Sequence, residues 1–93
     1  MFMGKRTSLE IIAEILSLCR HPQSKTRLLY KGNLTWHVLN RYLGQMQSNG
    51  LLEIHYSPTK YLATQKGHVF LEKWKEIAEI LMCTHEKLED ART

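Results

Sequence analysis

Only two cysteines, Cys19 and Cys83, occur in 93 residues. That is too few to staple a small secreted domain, so reduced thiols are expected. Long apolar runs are missing as well: Ile11 to Ala13 and Ile15 to Leu16 are interrupted by Glu14 and Ser17, far short of the roughly 20 residues that span a bilayer. Lys5 and Arg6 near the start are not followed by an apolar h-region or a small-residue cleavage site. The expectation is therefore a cytoplasmic protein without a secretory signal. No glycine-rich phosphate loop, nucleophile elbow or carboxylate pair at acid–base spacing can be found, so the sequence points away from an enzyme and implies no cofactor or small-molecule ligand.

The most informative absence is of one sign of charge. Between Glu14 and Glu53 there is no acidic residue, while Arg20, Lys25, Arg27, Lys31 and Arg41 all fall in that interval. Residues 1–67 hold nine Lys and Arg against three Glu, whereas 68–93 hold four against six Asp and Glu. A polyanion beside the acid-free stretch would release counterions without local like-charge repulsion, the electrostatic footprint of nucleic-acid binding. What is present is otherwise ordinary for a globular chain: 43% hydrophobic and 24% charged residues exclude a disordered or collagen-like polymer.

Thr7 followed by Glu10 is a capping-box pattern, and Leu9, Ile12, Ala13, Ile15, Leu16 and Cys19 then recur at helical spacing. A first helix is expected over about residues 8–20. Pro22 disfavours helix at His21, and Ser24 offers an N-cap to a short second helix over Lys25 to Tyr30. Gly32-Asn33 supplies a turn able to hold positive φ. A third helix opens at Asn33 or Thr35, buries Leu34, Val38, Leu39, Tyr42, Leu43 and Met46, and ends at Asn49-Gly50. Its other face carries Trp36, His37, Asn40, Arg41, Gly44 and Gln45. Leu51 to Tyr56 and Lys60 to Ala63 alternate as two strands of a hairpin turned at Ser57-Pro58-Thr59.

From Phe70, the residues Trp74, Ile77, Leu81, Thr84 and Leu88 step by alternating fours and threes, a heptad seam. Helical from about residue 65 to 90, this segment would run roughly 38 Å, longer than a domain of this size can cover. A second copy of the chain is the simplest partner for it, and folding back over its own core is the other solution. The expected architecture is thus mainly α with a two-stranded β-hairpin: a winged helix-turn-helix domain over residues 1–67, then a C-terminal coiled-coil dimerisation helix over 68–93.

The runs Leu9 to Leu16, Lys25-Thr26-Arg27-Leu28-Leu29-Tyr30-Lys31-Gly32-Asn33-Leu34, Tyr42-Leu43, Asn49-Gly50-Leu51-Leu52-Glu53 and Tyr61-Leu62-Ala63-Thr64-Gln65-Lys66-Gly67 resemble the archaeal winged helix-turn-helix predicted transcriptional regulators. The resemblance spans residues 5 to 75. That group includes small chromatin-type DNA-binding proteins that dimerise through a C-terminal antiparallel coiled coil, which is what the resemblance implies for Phe70, Trp74, Ile77, Leu81 and Leu88. Trp36 and His37, which open the third helix, depart from the pattern, so no base preference carries over.

On this reading the partner is double-stranded DNA and the third helix enters its major groove, where Asn pairs well with adenine and Arg with guanine. Asn40 and Arg41 are the base-reading candidates, with Thr35 and His37 able to touch base or phosphate. Trp36 either packs on the second helix or meets a thymine methyl or sugar. Lys25, Thr26, Arg27, Tyr30 and Lys31 are candidate phosphate clamps, which position without specifying. Ser57 and Lys60 are the wing residues expected near the backbone or minor groove, and His55 would add charge below its ordinary pKa of about 6.5. Gly44 has no propensity reason to sit in a helix and suggests close approach of another backbone. The expected role is a transcriptional regulator or architectural chromatin-type protein, cytoplasmic and nucleoid-associated. The rivals are a protein-interaction module and a binder of structured RNA, although no RNA-recognition aromatic motif is present. Cys19-Arg20-His21 and Cys83-Thr84-His85 form two Cys-x-His pairs, but their spacing departs from structural zinc sites and Cys19 falls on an apolar helix face, so no metal is expected. Cys83, beside the seam, raises an intersubunit disulfide as an alternative.

Overall fold

The computed structural model describes residues 7–83. Helix α1 covers Ser8–Leu18, α2 Lys25–Lys31 and α3 Trp36–Ser48. Strands β1 (Leu52–His55) and β2 (Lys60–Ala63) form an antiparallel hairpin, and α4 (Gln65–Ala78) runs into a π-helical turn over Glu79–Cys83. The fold is mainly α with a two-stranded hairpin, as the periodicities predict.

Local chemistry starts each helix. Thr7 accepts a hydrogen bond from the Glu10 amide while the Glu10 carboxylate accepts one from the Thr7 amide, completing the capping box. Ser24, Thr35 and Thr64 cap α2, α3 and α4 through the amides of Arg27, Val38 and Gly67. The first helix stops at Leu18, two residues before the expected end, because Cys19 has already left helical geometry and its carbonyl accepts from the Ala63 amide. Asn33 (φ 54°) takes the left-handed conformation in the turn between α2 and α3, and Gly50 (φ 75°) does so after α3.

Ile15, Leu16, Cys19, Leu28, Leu39 and Met46 are fully buried and bind α1, α2 and α3 together; Leu51, Leu52, Tyr61, Ala63 and Leu71 extend that core to the hairpin and α4. The burial pattern of each strand follows the alternation, with Leu52, Tyr61 and Ala63 inward. Burial pushes the Cys19 thiol up to about 12, so it packs as a small apolar group and stays protonated at neutral pH.

The last helix begins at Gln65, inside the span 1–67 assigned to the winged domain, and its first turns are core. Gly67 is the contact point: a side chain there would run into the Leu51 carbonyl oxygen and come within 3.0 Å of Leu16 Cδ2. Thr64 reinforces the junction by donating its hydroxyl to the Gly50 carbonyl at 2.6 Å. Gly67→Ala is expected to destabilise the chain by about 1–3 kcal/mol, because backbone cannot yield as a side chain can. A urea midpoint equal to wild type would show that α4 can slide away from Leu51.

The heptad seam divides in two. Phe70 and Trp74 are half-buried against the chain's own core, whereas Ile77, Ile80 and Leu81 are exposed, the last two at 67% and 68%. The helix expected to continue regularly to residue 90 changes to π-helical geometry after Ala78. Thr84 and Leu88 lie outside the described residues, as does His85 of the second Cys-x-His pair. Among the described residues no helix is long and apolar enough to cross a membrane, and no cluster of side chains is arranged to hold a metal.

Candidate nucleic-acid interface

Burying Leu39, Tyr42, Leu43 and Met46 turns the opposite side of α3 outward, and Trp36, His37, Asn40, Arg41, Gly44 and Gln45 are all exposed there. On α2, burial of Leu28 leaves Thr26, Arg27, Tyr30 and Lys31 exposed and Lys25 half-exposed. The acid-free interval thus becomes surface on two consecutive helices.

Lys25 and Trp36 meet across that surface. The Lys25 ammonium lies 5.7 Å from the centre of the Trp36 ring, joining the first turn of α2 to the first turn of α3 through a cation–π contact. Trp36 does reach α2, as the packing alternative has it, yet 49% of the residue stays exposed, so one tryptophan serves both as strut and as accessible aromatic surface. Arg41 stacks its guanidinium 5.5 Å from the Tyr42 ring, and Tyr42 is fixed by donating its hydroxyl to Ser8 at 2.9 Å. Thr35 uses its hydroxyl to cap α3, which places its remaining polarity at the start of the exposed face.

Gln23 is the residue that the sequence reading did not single out. Its amide nitrogen donates to the Leu18 carbonyl at 2.9 Å, and its amide oxygen accepts from Arg27 Nε at 3.1 Å. Its backbone pairs with Tyr61 in both directions, at 3.0 and 2.7 Å, as a one-residue extension of the hairpin. Gln23 therefore anchors α1, aims Arg27 and joins the root of the wing to the start of α2. The i to i+4 spacing of Gln23 and Arg27 was the available signal; the link to Tyr61 left none.

The wing is short. Its tip holds Ser57 at φ 67°, followed by a cis peptide to Pro58, and both are exposed. Lys60, half-buried, is paired in register with His55. His55 lies 3.2 Å from the Glu53 carboxylate, an acid on its own strand. The expected reason for Gly44 is not met among the described residues: a side chain there would touch nothing within 4 Å, because no described element crosses that part of α3.

Two helices joined by a tight turn, the second with one face free, and a hairpin tied to the first define a winged helix-turn-helix domain. The family model described as "Winged helix-turn-helix" matches residues 5–82, and the chain belongs to that family. The uncharacterized proteins MJ0290 and MJ0287 of the archaeon Methanocaldococcus jannaschii are each 32% identical to it over 78 residues, 83% of this chain. The match spans 36% of the first and 78% of the second. Among solved structures, Sso10a-2, a DNA-binding protein from Sulfolobus solfataricus, is similar with a TM-score of 0.71 at 30% identity, covering 92% of this chain and 96% of that one. Lactococcus lactis ZitR (TM-score 0.67, 16% identity, 100% and 69% coverage) shares the fold. So does the M. tuberculosis transcriptional regulator MosR (0.60, 17%, 94% and 73%).

Proposed function

We propose that this chain binds double-stranded DNA as a homodimer, in the cytoplasm with the nucleoid, as a transcriptional regulator or architectural protein. The observation that carries the reading is the exposed α3 face, free of acidic residues and bordered by the cations of α2. An α-helix fits the major groove, and the residues on this face include Asn40 and Arg41, the side-chain types that pair with adenine and guanine. Lys25, Arg27 and Lys31 on α2 would hold phosphates beside it, with Thr26 and Tyr30 adding neutral contacts. Ser57 and Lys60 would meet the backbone or minor groove beside them. The similarity to Sso10a-2, a DNA-binding protein at 30% identity, supports the same reading. The exposed Ile77 and Leu81, continuing from Phe70 and Trp74, supply the apolar stripe that a second copy would cover, and in the sequence Leu88 keeps the same heptad spacing.

Two substitutions test the assignment. Lys31→Ala is expected to weaken binding equally on all duplexes and to lower the salt slope by about 1, as loss of a phosphate contact does. Arg41→Ala is expected to cost about 1–3 kcal/mol on the preferred duplex and to flatten the preference among sequences. Fluorescence anisotropy with sequences selected from a random pool measures both. If neither variant alters duplex affinity while a protein partner is retained, the domain is an interaction module instead.

A further inference from the structure

We propose that Gly44 is the point where the main chain of α3 lies against a strand of the DNA, its missing side chain admitting the sugar-phosphate edge of the groove to the helix surface. The inference rests on the DNA-binding reading above and assigns this residue a part in it.

Gly44 sits well inside the 13-residue helix α3, where glycine lowers helix stability relative to alanine. A folded chain ordinarily keeps such a glycine for one of two reasons. The first is a positive φ, but among the described residues the positive-φ positions are Asn33, Gly50 and Ser57. The second is close packing, which Gly67 illustrates with the Leu51 carbonyl against it. At Gly44 a side chain would have open space. Nothing among the described residues uses the absence, which leaves its use to something that docks there.

The position says what docks. Gly44 follows His37 by seven residues, two helical turns, so the two lie about 20° apart around the axis and roughly 10 Å apart along it, with Asn40 and Arg41 on either side of the line between them. Gly44 therefore lies on the same stripe as the base-reading candidates, away from the buried Leu39, Leu43 and Met46. Its neighbours are polar or cationic, and α3 contains no acid, which suits a polyanion and not an apolar protein surface. The fit is tight in principle: a helix with its side chains is about 10–12 Å across, and the major groove is about 12 Å wide. One extra methyl on the inward face is then enough to hold the helix off its seat.

The full chain is compared with Gly44→Ala and Gly44→Val by thermal unfolding, by sedimentation, and by anisotropy titration of one labelled duplex over a range of salt. Gly44→Ala is expected to raise Tm by about 4–8 °C, since a helix-interior methyl is gained without a clash. The same substitution is expected to weaken duplex binding about tenfold or more, Gly44→Val further still, with the salt slope unchanged because no charge is lost. A Gly44→Ala protein that is more stable yet binds within about twofold of wild type would overturn the inference. So would an affinity loss that follows dissociation of the dimer, since the close neighbour would then be a second copy. Wild-type binding in the same titration separates the two readings: a wild-type chain that ignores duplex at about 50 mM salt removes DNA binding itself, whereas equal binding by both proteins removes only the role of Gly44.

Discussion

Raising salt from about 50 to about 200 mM is expected to weaken duplex binding by roughly ten-thousandfold if two protomers engage together, and by roughly a hundredfold if only one does. The figure follows from counting cations. Lys25, Arg27 and Lys31 on α2 and Lys60 on the wing form the set assigned to the DNA backbone, and each phosphate neutralised contributes about 0.9 to the slope of log affinity against log salt. One protomer gives a slope of about −3.6 and two give about −7. Titrations at four or five salt concentrations measure the slope directly, so the same experiment tests the electrostatic footprint and reports how many protomers sit on the DNA. A slope near zero would mean that the acid-free surface does not touch phosphate.

The second large effect is on stability. Leu39→Ala is expected to destabilise the chain by about 2–5 kcal/mol, through lost transfer free energy and the cavity left behind. Leu39 is fully buried on the inner side of α3, one residue from the exposed Asn40, so it is the packing on which the outward face depends. A domain of this size has a total stability of only about 5–15 kcal/mol, and the midpoint of thermal unfolding should fall by about 10 °C or more. Calorimetry or a urea titration would measure it. A loss below about 1 kcal/mol would mean that α3 does not bury this residue, and the orientation of its outer face would fall with it.

Asn40→Ala is the natural companion to that variant: neighbouring positions on one helix with opposite exposure. Their contrast was legible in the sequence, because it depends on a 3.6-residue period and on caps that act within one turn. Thr7 with Glu10, Ser24, Thr35 and the left-handed Gly50 are of the same kind. Each is a local interaction between residues three or four apart, or a conformational preference of a single residue.

Gln23, Gly67 and the division of the heptad seam are of another kind. Nothing near Gln23 in the chain indicates that its backbone pairs with Tyr61, thirty-eight residues further on, yet that pairing seats the wing beside the helix that carries Arg27. The seam has one period throughout, but Phe70 and Trp74 meet the chain's own core while Ile77 and Leu81 do not. The period reports which residues share a face, whereas the distance at which the core ends is set by how α1 and α4 pack. Gly44 and Gly67 look alike as helix glycines, and only their surroundings tell them apart: one faces open space, the other the Leu51 carbonyl. Sequence alone determined the elements, their order, their faces and the sign of the charge they display, because short-range sterics and hydrogen bonding decide those. Tertiary structure decided which faces meet, where the core stops and which cations are held in place, because these depend on contacts between residues far apart in the chain.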